Sequence, residues 1–178
     1  MLPMKPYRHS AAQRGAILVT SMLLLLVLTI IGVTVMQMSR MQERMAGNTR
    51  DVNVAFQAAE GALRGAEAYI RAQALRPIGC STGPCDVWAE AASVGTVANK
   101  DADWWDTNGK TYGQAAMTGV REAPSSAIQE MGFVRTDGGV VMGQDPPDGR
   151  DFYEVTSRST GGSGLAEIVL QSTFTRKF

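Results

Sequence analysis

The chain opens on a block without contrast between apolar and polar positions. Residues 16–39 carry no charge, and 17 of these 24 are Ala, Val, Ile, Leu or Met. At about 1.5 Å per residue, a helix of this length spans the roughly 30 Å hydrocarbon core of a bilayer. Its polar members Thr20, Ser21, Thr29, Thr34 and Gln37 are neutral, and a hydroxyl can bond back to the preceding turn. The pattern predicts a membrane span over a buried core helix, which seldom needs so many uncharged residues. Lys5, Arg8 and Arg14 precede the span with no acid among them, and mixed charge follows it. That asymmetry predicts a cytoplasmic N-terminus.

Past Arg40 the pattern becomes amphipathic. Met41, Met45, Val52, Phe56, Ala59, Leu63, Ala66 and Ile70 recur at helical spacing, while Glu43, Arg44, Arg50, Asp51, Glu60, Arg64 and Arg71 lie mostly off that stripe. No proline occurs from residue 16 to 76, so one helix of about 60 residues is permitted, ending before Pro77-Ile78-Gly79. Gly47-Asn48 is the place where it would loosen most readily. The methionines Met36, Met38, Met41 and Met45 read as packing residues before they read as a ligand surface.

Residues 77–178 hold shorter apolar runs among Gly, Asp, Ser and Thr. Residues 86–97 have helix-like spacing through Val87, Ala91 and Val94. Phe133-Val134-Arg135, Gly138-Gly139 and Val140-Val141-Met142 together suggest a hairpin. Residues 152–159 and 166–176 alternate as two strands joined by Gly161-Gly162-Ser163-Gly164. A long helix followed by antiparallel strands predicts an α+β fold, with the sheet's apolar face on the helical stripe. The expected organisation is a basic N-terminal segment (1–15), a membrane helix (16–39), its amphipathic continuation (40–76) and a globular domain (77–178).

Composition narrows the chemistry. The 178 residues balance 17 basic against 17 acidic side chains, so no basic field argues for nucleic acid. Only one histidine is present, His9, in the basic leader. Without it, the remainder has no histidine for a triad, a zinc site or a general base, which predicts a binding or structural part and not an enzyme. No cofactor and no metal are expected. Cys80 and Cys85 bracket Ser-Thr-Gly-Pro. Metal or redox use would favour a second pair or C-x-x-C, and the predicted topology puts both thiols in an oxidising periplasm, so a local disulfide is expected.

Three further features invite chemical readings. Gly109-Lys110-Thr111 lacks the upstream glycine of a P-loop, since Trp104 stands there. The run 145–151 and the trio Asp101, Asp103 and Asp106 offer oxygens, but neither has EF-hand spacing, so solvated acidic turns are expected. Trp88, Trp104 and Trp105 could form an adhesive or sugar-stacking patch, although core or subunit packing is the better reading.

The stretch Gln13-Arg14-Gly15-Ala16-Ile17-Leu18-Val19 resembles a class III signal, the substrate of prepilin peptidase. That resemblance implies cleavage after Gly15, N-methylation of the new terminus Ala16, and retention of the apolar helix. Type IV pilins usually carry glutamate at the fifth mature position, where this chain has Thr20. In that family the glutamate meets the N-terminal amine of the subunit ahead. A subunit with none ahead needs no such group, so Thr20 suits the tip of a fibre; the other reading is a member that tolerates the loss anywhere.

Residues 42–51 (Gln-Glu-Arg-Met-Ala-Gly-Asn-Thr-Arg-Asp), followed by Ala55-Phe56-Gln57-Ala58-Ala59-Glu60, resemble the N-terminal signature of the PilX group of minor pilins. Residues 153–158, 161–164 and 169–173 resemble the same group. The resemblance implies a priming complex with other minor pilins and the major pilin, and processing by prepilin peptidase. It also implies work from an inner-membrane assembly platform, and surface fibres for adhesion and twitching motility. The location implied is the inner membrane, with the C-terminal domain periplasmic, and then the pilus. The alternatives are a type II secretion pseudopilin at the pseudopilus tip, and a signal-anchored periplasmic binding protein.

Overall fold

A computed structural model describes residues 14–90, 95–112, 117–135 and 149–178. Helix α1 (Arg14–Ala72) runs for 59 residues, and Gly47-Asn48 lies within it as regular helix. It ends short of Arg76, and the chain divides into two compact units, Met1–Gly47 and Asn48–Phe178.

In the first unit, the described part is α1 alone. Its apolar side chains are exposed all round, from Ile17 (68% exposed) to Met45 (59%). The second unit, Asn48–Phe178, holds the rest of α1, a 3-10 turn (Val97–Asn99), helix α2 (Ala102–Asn108) and strands β1 (Ser125–Arg135), β2 (Gly149–Thr160) and β3 (Glu167–Arg176). The strands form an antiparallel sheet in the order β1-β2-β3.

Strand alternation sends neighbouring residues to opposite faces, and each face has its own core. On one, Ile128, Tyr153 and Val155 pack with Ala66 and Ile70 of α1, joined by Val87 and Tyr112. On the other, Ala127 packs with Cys85, Trp88, Val97 and Trp105. The face of α1 buried against the sheet consists of Ala55, Ala58, Ala59, Ala62, Ala66 and Ile70, each fully buried. This shifts the stripe expected from sequence. Val52 and Phe56 are 45% and 47% exposed, because alanine lets the helix backbone approach strands that already supply the bulk of Tyr153 and Ile128.

Residues 86–90 are not helical. Trp88 lies parallel to Gln129 of β1 and to Cys80 on its other side, extending the sheet by two short backbone bridges. Backbone hydrogen bonding to the sheet edge outweighs the helical spacing there, and residues 91–94 lie outside the described residues. Of the expected hairpin, the first arm alone falls among the described residues. Val134 pairs with Arg150, so Phe133-Val134-Arg135 ends a long strand, whereas residues 138–142 lie outside the described residues. Between Glu130 and Gly132 the register shifts by a bulge, which Gly132 accommodates at φ 125°.

Candidate functional site

The residues expected to act in processing sit together at the start of α1. Gly15 is exposed, and a Cβ added to it would meet nothing within 4 Å. The Thr20 hydroxyl donates to the Ala16 and Ile17 carbonyls, each at 3.0 Å. Ser21 donates to Leu18 O, Thr29 to Leu26 O and Thr34 to Ile30 O, at 2.9, 2.8 and 2.8 Å. With those hydroxyls turned back on the helix, its surface over residues 16–36 is apolar. Its most apolar 18-residue window has a mean hydropathy of 2.8, long and apolar enough to cross a membrane. Such a surface is covered by lipid or by other apolar helices.

The other two predicted site residues lie in the second unit. Cys80 and Cys85 form a disulfide with Cα atoms 6.0 Å apart. Cys80 N donates to Val87 O and Ala89 N to Cys80 O, each at 3.0 Å, so the bond closes a loop that brings residue 80 back beside Trp88. Parallel neighbours normally need a longer connection. The cross-link therefore holds the strand-like extension at the β1 edge. Gln129, buried on the same face as Ala127, pins the following segment by donating to Ala89 O and Gly95 O.

The tryptophans are packing groups. Trp88 and Trp105 are buried, and Trp104 joins them with ring centroids 5.2 and 5.4 Å away. Asp101 caps α2 by accepting from Trp104 N at 3.0 Å. Lys110, from the P-loop-like triplet, bridges to Ser126 on β1 and pairs with Asp86.

Two constellations went unnoticed in the sequence. Asp51, on α1, accepts hydrogen bonds from the Ser163 backbone N–H at 3.0 Å and from the Ser163 hydroxyl. That hydroxyl, then the backbone N–H, hold its carboxyl below the usual range. A Cβ on Gly161 would stand 2.5 Å from the Asp51 carboxylate, so the β2–β3 turn needs glycine to come so close. The glycine-rich run signals the turn, but nothing in the sequence says that it docks on a helix 112 residues earlier.

The second gathers Arg76, Glu130 and Asp151. Arg76 pairs with Glu130, and its Nε lies 3.1 Å from Asp151 Oδ1. Burial raises the Asp151 carboxyl against the opposing pull of Arg76. Burial likewise pushes the neighbouring Tyr153 hydroxyl up to about 12.

Comparison with known families covers most of this architecture. The PilX N-terminal family model matches residues 14–64, and the model for the C-terminal part of the type IV pilus assembly protein PilX matches residues 79–176. No curated protein and no solved structure matches the chain. With a long apolar helix, an α+β head and both family models in register along it, the chain belongs to the PilX family of type IV pilus minor pilins, structural subunits that assemble with other pilins.

Proposed function

We propose that this subunit helps to start a pilus, within a priming complex at or near the tip. In this reading residues 1–15 are a leader, 16–39 the membrane and fibre-core helix, 40–76 its continuation, and 77–178 the periplasmic head. The chain inserts into the inner membrane with its N-terminus cytoplasmic. Prepilin peptidase cuts after Gly15, and Ala16 is N-methylated. The apolar helix then leaves lipid for the helices of other minor pilins and the major pilin. The transfer costs little hydration energy, since both surroundings are apolar. The assembly platform and its cytoplasmic ATPase supply the work, and the surface fibre serves adhesion and twitching motility.

The observation that carries this reading is Thr20. Its hydroxyl is satisfied within its own helix, so it brings no charge and asks for no amine from a neighbour. An unpaired carboxylate at the centre of a membrane helix costs about 2.5–3.5 kcal/mol, and nearer the end, as at Thr20, a smaller penalty of the same sign applies. A first subunit, with nothing ahead of it, avoids that cost by having no carboxylate.

Two measurements test the reading. Gly15→Val creates no clash within the chain, so an unprocessed membrane precursor is expected; processing at the normal rate would defeat the cleavage assignment. A deletion strain, scored for sheared fibres with and without the retraction ATPase, tests priming. Fibres lost in the first background and partly restored in the second fit an initiator. Normal fibres with failed exoprotein release would instead mean a secretion pseudopilus.

A further inference from the structure

The two edges of the sheet are not alike. The free side of β1 is partly covered, by Trp88 bridging to Gln129 and by Lys110 bridging to Ser126. The free side of β3 is bare. Its ladder to β2 runs unbroken from Glu167–Thr160 to Arg176–Asp151, and no other backbone hydrogen bond among the described residues reaches it. In an antiparallel strand, alternate residues turn their N–H and C=O away from the paired neighbour. About half of β3 thus offers its backbone groups outward.

Exposed edges are ordinarily guarded by proline, lysine, inward charges or a bulge. β3 has none of these. Residues 168–175 carry no charge, glycine or proline, and the register shows no shift. Charge stands only at the ends, where Glu167 accepts from Arg158 Nε at 2.6 Å and Arg176 donates to the Ile70 carbonyl, so neither guards the edge.

The two faces of β3 set the chemistry of a strand that would join it. Val169, Gln171 and Thr173 alternate, exposed, on the outer face. On the inner face, Ser172 donates to Glu67 at 2.7 Å and the Arg71 guanidinium lies over the Phe174 ring, so Ile168 and Leu170 share the side that looks to α1. Phe56, Leu63 and Glu67 follow one another at spacings of seven and four, which puts them on one side of the helix, and Phe56 there is half-exposed. Inner side chains of an added strand would pass Ile168 and Leu170 towards Phe56, which favours apolar residues. In the membrane-anchored reading above, a second copy is not that strand. The rotation that sets one β3 antiparallel to another also reverses α1, whereas subunits anchored in one membrane point α1 the same way. We propose that the open edge of β3 docks an extended segment of a different protein, added as a further strand with apolar side chains towards Phe56 and neutral polar ones on the opposite face.

The test uses the full chain in lipid nanodiscs at one copy per disc. Amide hydrogen exchange along β3 is followed alone, with a peptide of four valine–threonine repeats between a lysine and a glutamate, and with a version whose two central valines are proline. Alone, alternate amides of β3 are expected to exchange fast while the rest are protected by β2. The repeat peptide should protect the fast set, with half-effect on the order of 100 μM, and leave β1 unchanged; the proline version should not protect it. Phe56→Ala and Val169→Lys should each weaken binding about three- to fivefold, through lost apolar contact and through a charge set on the edge. Unchanged tryptophan emission would show that the variant heads remain folded. Five results would each overturn the proposal. Slow exchange of all β3 amides in the lone chain would mean that the chain covers its own edge, and protection only in discs holding two copies would make a second copy the partner. The others are no protection by the repeat peptide up to about 1 mM, equal protection by the proline version, and both variants binding like the parent.

Discussion

The alanine face of α1 permits a sharp contrast between two substitutions. Phe56 belongs to the stripe suggested by spacing, and as a core residue its loss to alanine would cost about 3–5 kcal/mol. In the structure it is 47% exposed. Full burial of a phenylalanine contributes about 1.5–3 kcal/mol, so half-burial sets the loss near 1 kcal/mol, and the better helix propensity of alanine offsets part of it. Ala66 is fully buried against Ile128, Tyr153 and Val155. Ala66→Leu would force three carbons into that contact, at a cost of about 1–3 kcal/mol. All three tryptophans lie in the head, at positions 88, 104 and 105, so emission in a thermal melt of the full chain in micelles follows the head selectively. At about 3–5 °C per kcal/mol for a domain of this size, Ala66→Leu should lower Tm by about 3–15 °C and Phe56→Ala by less than about 4 °C. A larger loss for Phe56→Ala than for Ala66→Leu would refute the assignment of faces.

Three other outcomes are expected. Tyr153→Phe removes a buried hydroxyl that makes no well-formed hydrogen bond among the described residues, although the Arg76 side chain stands close to it; chemical denaturation should find the variant within about 1 kcal/mol of the parent, and a larger loss would show that the Arg76 contact stabilises the head. Asp51 has a lowered folded-state pKa. Its contribution is therefore fully present above the ordinary carboxylate range and is lost as pH falls through the folded value. The Tm gap between Asp51→Asn and the parent should close from neutral pH to about pH 2, and a constant gap would count against the clasp. Replacing both Cys80 and Cys85 by serine should cost about 2 kcal/mol in the chain-entropy account of so short a loop. It should also move Trp88 emission, because the bridge that the disulfide holds contains Trp88 itself; an unshifted spectrum would argue against that role.

What could be read from the sequence was what depends on neighbours along the chain. The uncharged block, the absence of proline, and the alternation in residues 152–159 and 166–176 each report local geometry, and α1, β2 and β3 follow from them. The Cys80–Cys85 bond was legible for the same reason. Spacing could not show which face of α1 the sheet would cover. Alanine carries little hydrophobic signal, and its value there lies in the closeness it allows. The helix expected over residues 86–97 failed on similar grounds. Trp88 finds its backbone partners in Ile128 and Glu130, some forty positions away, and no local pattern announces them. Asp51 looked like one more solvated charge, and Arg158 and Thr160 like ordinary members of an alternating strand. Only the assembled sheet gives them neighbours.

The ties between α1 and the end of the chain also set an order of events in folding. Asp51 is held by Ser163, Glu67 accepts from Ser172 at 2.7 Å, and the Ile70 carbonyl accepts from Arg176. Each contact closes more than a hundred residues, so α1 leaves the ribosome long before any of its partners exists. Contacts of such separation form late, because the entropy of closing the loop must be met first. Until residues 163–176 are made, α1 lacks these three partners, and a chain that stops near residue 160 never gains any of the ties. The last eighteen residues thus act as the closing step of the head, and a nascent chain waits for them with its apolar helix already complete.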